Sequence, residues 1–161
     1  MLRVGILTVS DRSSRGERDD TAGPGLADVL RSAGMDVQWL AVVPDEEKEI
    51  ASILTSWSDE KAADLILTTG GTGLSPRDVT PEATVGVIQR SVPGMAEAMR
   101  AASLLKTPHA MLSRAVVGVR GRTLIINLPG SPRGALENLE VVLPVLDHAI
   151  AKIQGDPSEC A

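Results

Sequence analysis

The sequence predicts an α/β domain, a three-layer α/β/α sandwich built on a mostly parallel sheet with one antiparallel strand. Three observations predict it. Apolar runs of strand length alternate with segments of helical periodicity, and that alternation places helices on both faces of a parallel sheet. Two apolar runs late in the chain are joined by a short turn, which adds the antiparallel strand. The chain has 161 residues, the size of one ordinary domain. It therefore buries roughly 70% of its unfolded surface and needs no disulfide or metal staple. The domain is expected over residues 1–154, with 155–161 as a frayed tail.

Residues 2–9 (LRVGILTV) form the first buried strand, and the polar stretch 11–23 a loop. Leu26, Val29, Leu30 and Ala33 share one helical face, with Pro24 near the helix start and Gly34 past its end. Residues 37–43 form a second strand. Asp45 then caps a helix whose apolar face is Ile50, Ile53, Leu54 and Trp57. Residues 65–69 are a third strand, running into Gly70-Gly71-Thr72-Gly73. Thr80-Pro81 reads as an N-cap followed by proline at the first helical position, opening a helix with Val85 and Ile88. Pro93 opens another, carrying Met95, Ala98, Met99 and Ala102. Residues 114–119 and 123–128 form the hairpin across Arg120-Gly121-Arg122. Ser131 caps a last helical region with Leu136, Leu139, Leu143, Leu146 and Ile150, which Pro144 breaks or kinks.

Composition narrows the function. Two Trp, no Tyr and no Phe leave no aromatic platforms on which nucleic-acid bases stack. A purine bound here lies against aliphatic side chains and backbone. The net charge of −5 disfavours nonspecific binding to nucleic acid or anionic membrane. No apolar run approaches the roughly 18 residues of a membrane span, and no basic leader opens the chain, so the protein is expected in the cytoplasm. The only cysteine, Cys160, stands next to the C-terminus, a poor place for a nucleophile. His109 and His148 are the only histidines. Neither is given a catalytic role, and a histidine-based zinc site or Ser-His-Asp triad is hard to assemble.

Ligands of such folds bind at the carboxyl ends of strands, near a switch in strand order. Four strand exits carry unusual chemistry. Ser10-Asp11-Arg12-Ser13-Ser14 offers hydroxyls and N–H groups to an anion or a pterin-like heterocycle, or is a capped surface turn. Val43-Pro44-Asp45-Glu46 offers a carboxylate to a divalent metal or a ribose, or caps the next helix. The Gly70–Gly73 loop lets backbone approach a ligand closely and point N–H groups at phosphate. Asp78, a few residues on, suits Mg²⁺. The loop is neither a Walker A nor a Gly-x-Gly-x-x-Gly motif. Asn127-Leu128-Pro129-Gly130-Ser131-Pro132 presents a helix start to an anion, with Ser113 and Arg114 nearby, or is plain capping.

The strings TVSDRSSRGERDDTAGP, VVPDE, TTGGTGLSPRDVTPEAT, MLSR and NLPGSP follow one another from Thr8 to Pro132, within a similarity that covers residue 4 to about 150. Together they resemble the molybdopterin adenylyltransferase family of the MogA and MoaB type. The resemblance implies a three-layer molybdopterin-binding fold and a homotrimer or hexamer. It implies attack of the terminal phosphate of molybdopterin on the α-phosphate of Mg-ATP, releasing pyrophosphate, after which a separate insertase adds the metal. Asp45 and Asp78 would be the catalytic, Mg²⁺-handling carboxylates. Gly70, Gly71, Thr72, Gly73 and Pro44 would serve the nucleotide. Ser10, Asp11, Ser113 and Arg114 would contact molybdopterin, with Asn127, Pro129 and Gly130 shaping its pocket. Three rivals stand beside this reading. A non-catalytic binding module would tolerate loss of Asp45 or Asp78, and a CinA-like hydrolase usually carries additional chain. A structural subunit needs no such exits.

Overall fold

The computed structural model describes residues 1–160, and Ala161 of the expected tail lies outside the described residues. The sheet has six strands: β1 (Arg3–Val9), β2 (Asp36–Val43), β3 (Leu65–Thr69), β4 (Arg90–Ser91), β5 (Val117–Arg120) and β6 (Thr123–Leu128). Their spatial order is β2-β1-β3-β6-β5-β4. β2, β1, β3 and β6 pair in parallel. β5 runs antiparallel to both of its neighbours and is the expected reversed strand. The order reverses at β1, whose neighbours β2 and β3 both follow it in the chain. The crevice of a doubly wound sheet opens there.

Helices cover both faces: α1 (Asp11–Ser14), α2 (Ala22–Ser32), α3 (Glu47–Asp59), α4 (Thr80–Val87), α5 (Pro93–Leu104), α6 (Pro132–Val142) and α7 (Leu146–Ile153). Side chains alternate between faces along a strand, so β1 splits its apolar set between two cores. Val4 and Ile6 join Leu26, Leu30, Met99, Leu139 and Ile150 on one face. Leu7 and Val9 join Ile50, Leu54, Trp57 and Ala83 on the other. With no Phe or Tyr available, close packing is aliphatic. The one aromatic pair, Trp39 and Trp57, has ring centroids 6.3 Å apart. Trp57 lies so tightly over β1 that a Cβ on Gly5 would stand 2.5 Å from its ring.

Several elements differ from expectation, each for a local reason. The stretch 11–23 contains the one-turn α1, because the Ser10 hydroxyl accepts the Ser13 N–H at 3.1 Å. Asp45 does not cap α3: Glu46 holds that position without a side-chain bond, and the Asp45 carboxylate turns instead to the Asp11 N–H. Thr80 is the first residue of α4 rather than its cap, and its hydroxyl donates to Gly70 O at 2.9 Å. Val85 is 59% exposed, since α4 buries Thr80, Pro81, Ala83, Thr84 and Val87. Ile88 follows the helix end but still packs on the core. β5 begins at Val117 rather than 114, because Arg114 N–H bonds Thr72 O and Val116 N–H bonds the Asn127 side chain. A 3₁₀ helix at Pro108–Leu112 and the exposed two-residue β4 have no periodic signature. Pro144 breaks the last helix as expected, leaving a 3₁₀ turn between α6 and α7.

Asn127 is fully buried in β6. Its amide donates to Thr68 Oγ1 and Thr84 Oγ1, each at 2.9 Å, and accepts the Val116 N–H at 3.1 Å. These bonds tie β3, α4 and the start of the hairpin together. Asn127→Ala should leave several buried groups unpaired and cost about 2–4 kcal/mol. Urea unfolding measures it, and a cost under about 1 kcal/mol would deny the network this role.

Candidate active site

The strand exits converge at the carboxyl edge of β1, β2, β3 and β6. Exits one and two are tied reciprocally. The Asp11 N–H donates to Asp45 Oδ2 at 2.8 Å, and the Asp45 N–H donates to Asp11 Oδ1 at 3.0 Å. Arg77, from the third exit, closes on the same pair: its guanidinium meets both Asp11 oxygens at 3.0 Å and Glu46 at 2.8 Å. The charged guanidinium, followed by the Asp45 backbone bond, holds the Asp11 carboxyl below its ordinary value.

The third exit is shaped by glycine. Gly70 and Gly71 have φ of +101° and +69°, and a Cβ on Gly70 would lie 2.2 Å from Val9 O. On Gly71 it would lie 2.3 Å from Thr80 Oγ1 and 3.1 Å from Asp45 Oδ1. Asp78 folds back so that its Oδ2 accepts the Ser75 N–H at 3.0 Å. Arg114 braces the loop from the other side, donating to Gly73 O and Asp78 O at 2.8 Å and pairing with Glu82. The fourth exit locks onto the third through Thr69 Oγ1, which donates to Pro129 O at 2.6 Å. Ser131 caps α6 by accepting the Gly134 N–H at 3.1 Å.

Two cavities flank this junction. The first, about 310 Å³, sits at the β1/β3 switch and is lined by Ser10, Asp45, Gly70, Gly71, Asp78 and Gly130, among others. The second, about 280 Å³, is lined by Thr72, Gly73, Ser113 and Pro129 together with residues of α5, the 3₁₀ helix and α6. Ser131 borders both, so the Gly-rich loop and the Pro129–Ser131 turn form a shared wall. Asp11, Arg114, Asn127 and Pro44 line neither cavity. The first two brace the loops, Asn127 lies in the core, and the Pro44 carbonyl accepts the Glu46 N–H.

Residues 5–148 match a family described as a probable molybdopterin binding domain. A molybdopterin adenylyltransferase of Helicobacter pylori is 41% identical, over 96% of this chain and 89% of that protein. A Dictyostelium discoideum gephyrin is 46% identical over 96% of this chain, which spans only 23% of that longer protein. The crystal structure of the molybdopterin biosynthesis enzyme MoaB of Thermus thermophilus superposes with a TM-score of 0.92. It is 57% identical over 99% of this chain and 100% of that one. The chain belongs to the molybdopterin-binding domain family.

In this molybdopterin-binding domain the first cavity is acidic, with Asp19, Asp20, Asp45 and Asp78 on its wall against Arg18. A bare anion is unwelcome there, whereas an anion carrying a divalent cation is not. Burial pushes the Asp45 carboxyl above its ordinary value, and the negative charges of Asp11 and Asp78 add to the effect. Asp45 and Asp78 each have one oxygen fixed by a backbone N–H and one without a partner among the described residues. No group of three or more His, Cys, Asp or Glu forms a metal cage among the described residues. Mg²⁺ is commonly bound by one or two carboxylates with waters and substrate phosphates, and this donor set fits it.

Sequence reasoning missed Arg18, Asp19, Asp20 and Thr21, which read as ordinary loop before a helix. Asp20 fastens that loop, accepting Thr8 Oγ1 at 2.8 Å and the Gly23 N–H at 3.0 Å. It also missed Arg100, Ser103, Lys106, His109, Glu137 and Asn138 in the second cavity, because three separate elements bring them together. His109, given no role, lines that cavity, while His148 lies elsewhere, 3.3 Å from Cys160 Sγ.

Gly16 and Gly71 have similar positive φ, but a Cβ meets nothing within 4 Å at Gly16. Gly16→Ala should therefore cost only the left-handed backbone term, about 1–2 kcal/mol. Gly71→Ala should cost about 1–3 kcal/mol more from overpacking against Thr80 and Asp45. Equal midpoints in parallel urea titrations would show that the loop yields.

Proposed function

We propose that the protein is a molybdopterin adenylyltransferase, with ATP and molybdopterin as substrates. The observation that carries this reading is the pair of cavities separated by one wall, the first lined by four aspartates and the second by Arg100, Lys106 and His109 with one carboxylate, Glu137. Mg-ATP occupies the first and molybdopterin the second. Among the described residues, the N–H groups of Gly71, Thr72, Gly73, Gly130 and Ser131 have no internal partner, so the wall itself offers donors to phosphate. An oxygen of the molybdopterin terminal phosphate attacks the α-phosphorus of ATP, the bond to the β-phosphate bridging oxygen breaks, and pyrophosphate leaves.

The attacking phosphate is already anionic, so no side chain need remove a proton. Asp45 and Asp78 would hold Mg²⁺, which when bound neutralises the triphosphate and the leaving pyrophosphate. Arg77, through Asp11, and Arg114, through the Asp78 carbonyl, brace the loops that carry the two carboxylates. Ser113 and Pro129 border the molybdopterin cavity as the resemblance implied, whereas Ser10 and Gly130, expected at molybdopterin, border the nucleotide cavity, and Thr72 and Gly73, expected at the nucleotide, border the molybdopterin one. A homotrimer or hexamer, a downstream insertase and a cytoplasmic location complete the reading. No helix among the described residues is long and apolar enough to cross a membrane.

Pyrophosphate release from Mg-ATP should require molybdopterin and fall at least about a hundredfold in Asp78→Asn, about 3 kcal/mol of transition-state stabilisation. No release from a folded wild type that binds ATP would favour the non-catalytic binding module. Arg77→Ala should raise KM for Mg-ATP roughly tenfold with a smaller change in kcat, as loss of positioning predicts. Because Asp45 must be ionised to hold a cation, activity should fall as pH drops through its raised pKa. The acid limb of kcat/KM should therefore lie above the ordinary aspartate range. A limb within that range would assign it to another group.

A further inference from the structure

The second cavity contains an arrangement that the exchange of phosphates does not use. Glu137 and Asn138, consecutive on α6, both line it. Glu137 is 24% exposed, and one carboxylate oxygen, Oε1, takes both cations: Arg133 Nε at 2.8 Å and Lys106 Nζ at 3.2 Å. Its Oε2 has no partner among the described residues. Asn138 is 7% exposed, and its amide nitrogen donates to Ser103 Oγ at 2.7 Å. Its amide oxygen is likewise without a partner. Lys106 lines the same cavity beside them. Arg100 cannot offer its charge as freely, because Nη1 is bonded to Ala115 O at 2.9 Å.

The cavity thus presents two unclaimed acceptors flanked by an ammonium donor. The aminopyrimidinone edge of a pterin presents the complement: the 2-amino group and N3–H donate, and the 4-oxo oxygen accepts. We infer that Glu137 and Asn138 read the 2-amino and N3–H donors of the pterin, with Lys106 beside the 4-oxo group. The inference rests on the adenylyltransferase reading and assigns that substrate's ring its specificity-determining contacts. An ionised acceptor makes a stronger bond than a neutral one, so Glu137 dominates. A site that accepts from a buried donor rejects an analogue that replaces it with an acceptor.

Lumazine is such an analogue, carrying a carbonyl where pterin has its 2-amino group. Fluorescence titration of the full chain with molybdopterin, pterin and lumazine tests the inference. Wild type should bind molybdopterin and hold pterin at least tenfold more tightly than lumazine. Glu137→Gln, the same size on a partly exposed helix face, should shrink that preference to about twofold, whereas Lys106→Met should leave it. Failure of wild type to bind molybdopterin overturns the functional reading and this inference with it. Binding molybdopterin without distinguishing pterin from lumazine overturns this inference alone, with no variant needed. So does an undiminished preference in Glu137→Gln. Loss of the preference in Lys106→Met as complete as in Glu137→Gln would make Glu137 an anchor for the lysine, and would overturn it too.

Discussion

Asp11 and Asp45 are like charges held side by side, each accepting a hydrogen bond from the other's backbone N–H. The rest of the site depends on that arrangement. It fixes the ends of β1 and β2 in register and leaves one Asp45 oxygen free at the first cavity. Arg77 neutralises Asp11 and offsets part of the repulsion, while burial first, and the charges of Asp11 and Asp78 after it, keep the Asp45 carboxyl above its ordinary value. A carboxylate that is buried and close to other negative charge favours its neutral form unless positive charge is brought beside it. The tie between two strand ends thus brings Asp45 to the cavity wall, where Asp19, Asp20 and Asp78 add the rest of its negative charge.

Arginine has a different place here from the one its chemistry first suggests. The forked side chain suits phosphate, and the chain has only four lysines among its 16 basic residues. Yet Arg77, Arg100, Arg114 and Arg120 all bond the protein's own carbonyls or carboxylates. Arg114 in particular holds the loop that carries Asp78. The N–H groups without an internal partner sit instead on a loop whose close approach to β1 leaves no room for a side chain at Gly70. Rigid backbone donors backed by arginine struts need little reorganisation when charge develops.

The sheet was legible because its strands are short apolar runs, and the wall of the site because glycines and prolines mark strand exits. Asp45 and Asp78 were legible as candidates for the same reason, and they line one cavity. What the sequence hid has a common physical cause. Asp45 looked like a helix cap because its partner, Asp11, is far away in the chain. Asn127 was placed at the pocket by the family resemblance, yet strand alternation turns it into the core. Glu137, Lys106 and Ser103 each read as ordinary helix-surface or loop positions, and only the packing of α5 against α6 makes them neighbours. The one-turn α1 and the two-residue β4 are too short to show periodicity.

The aliphatic core has an optical consequence. With no tyrosine or phenylalanine, the near-ultraviolet absorption and emission of the chain come from Trp39 and Trp57 alone. Those rings touch each other on the α3 face of the sheet, and neither lines either cavity. The protein therefore carries one spectroscopic reporter, seated beside Gly5 and sensitive to the β1–β2–α3 packing. The second cavity, by contrast, is dark, so the pterin signal of an occupant would stand apart from that of its host.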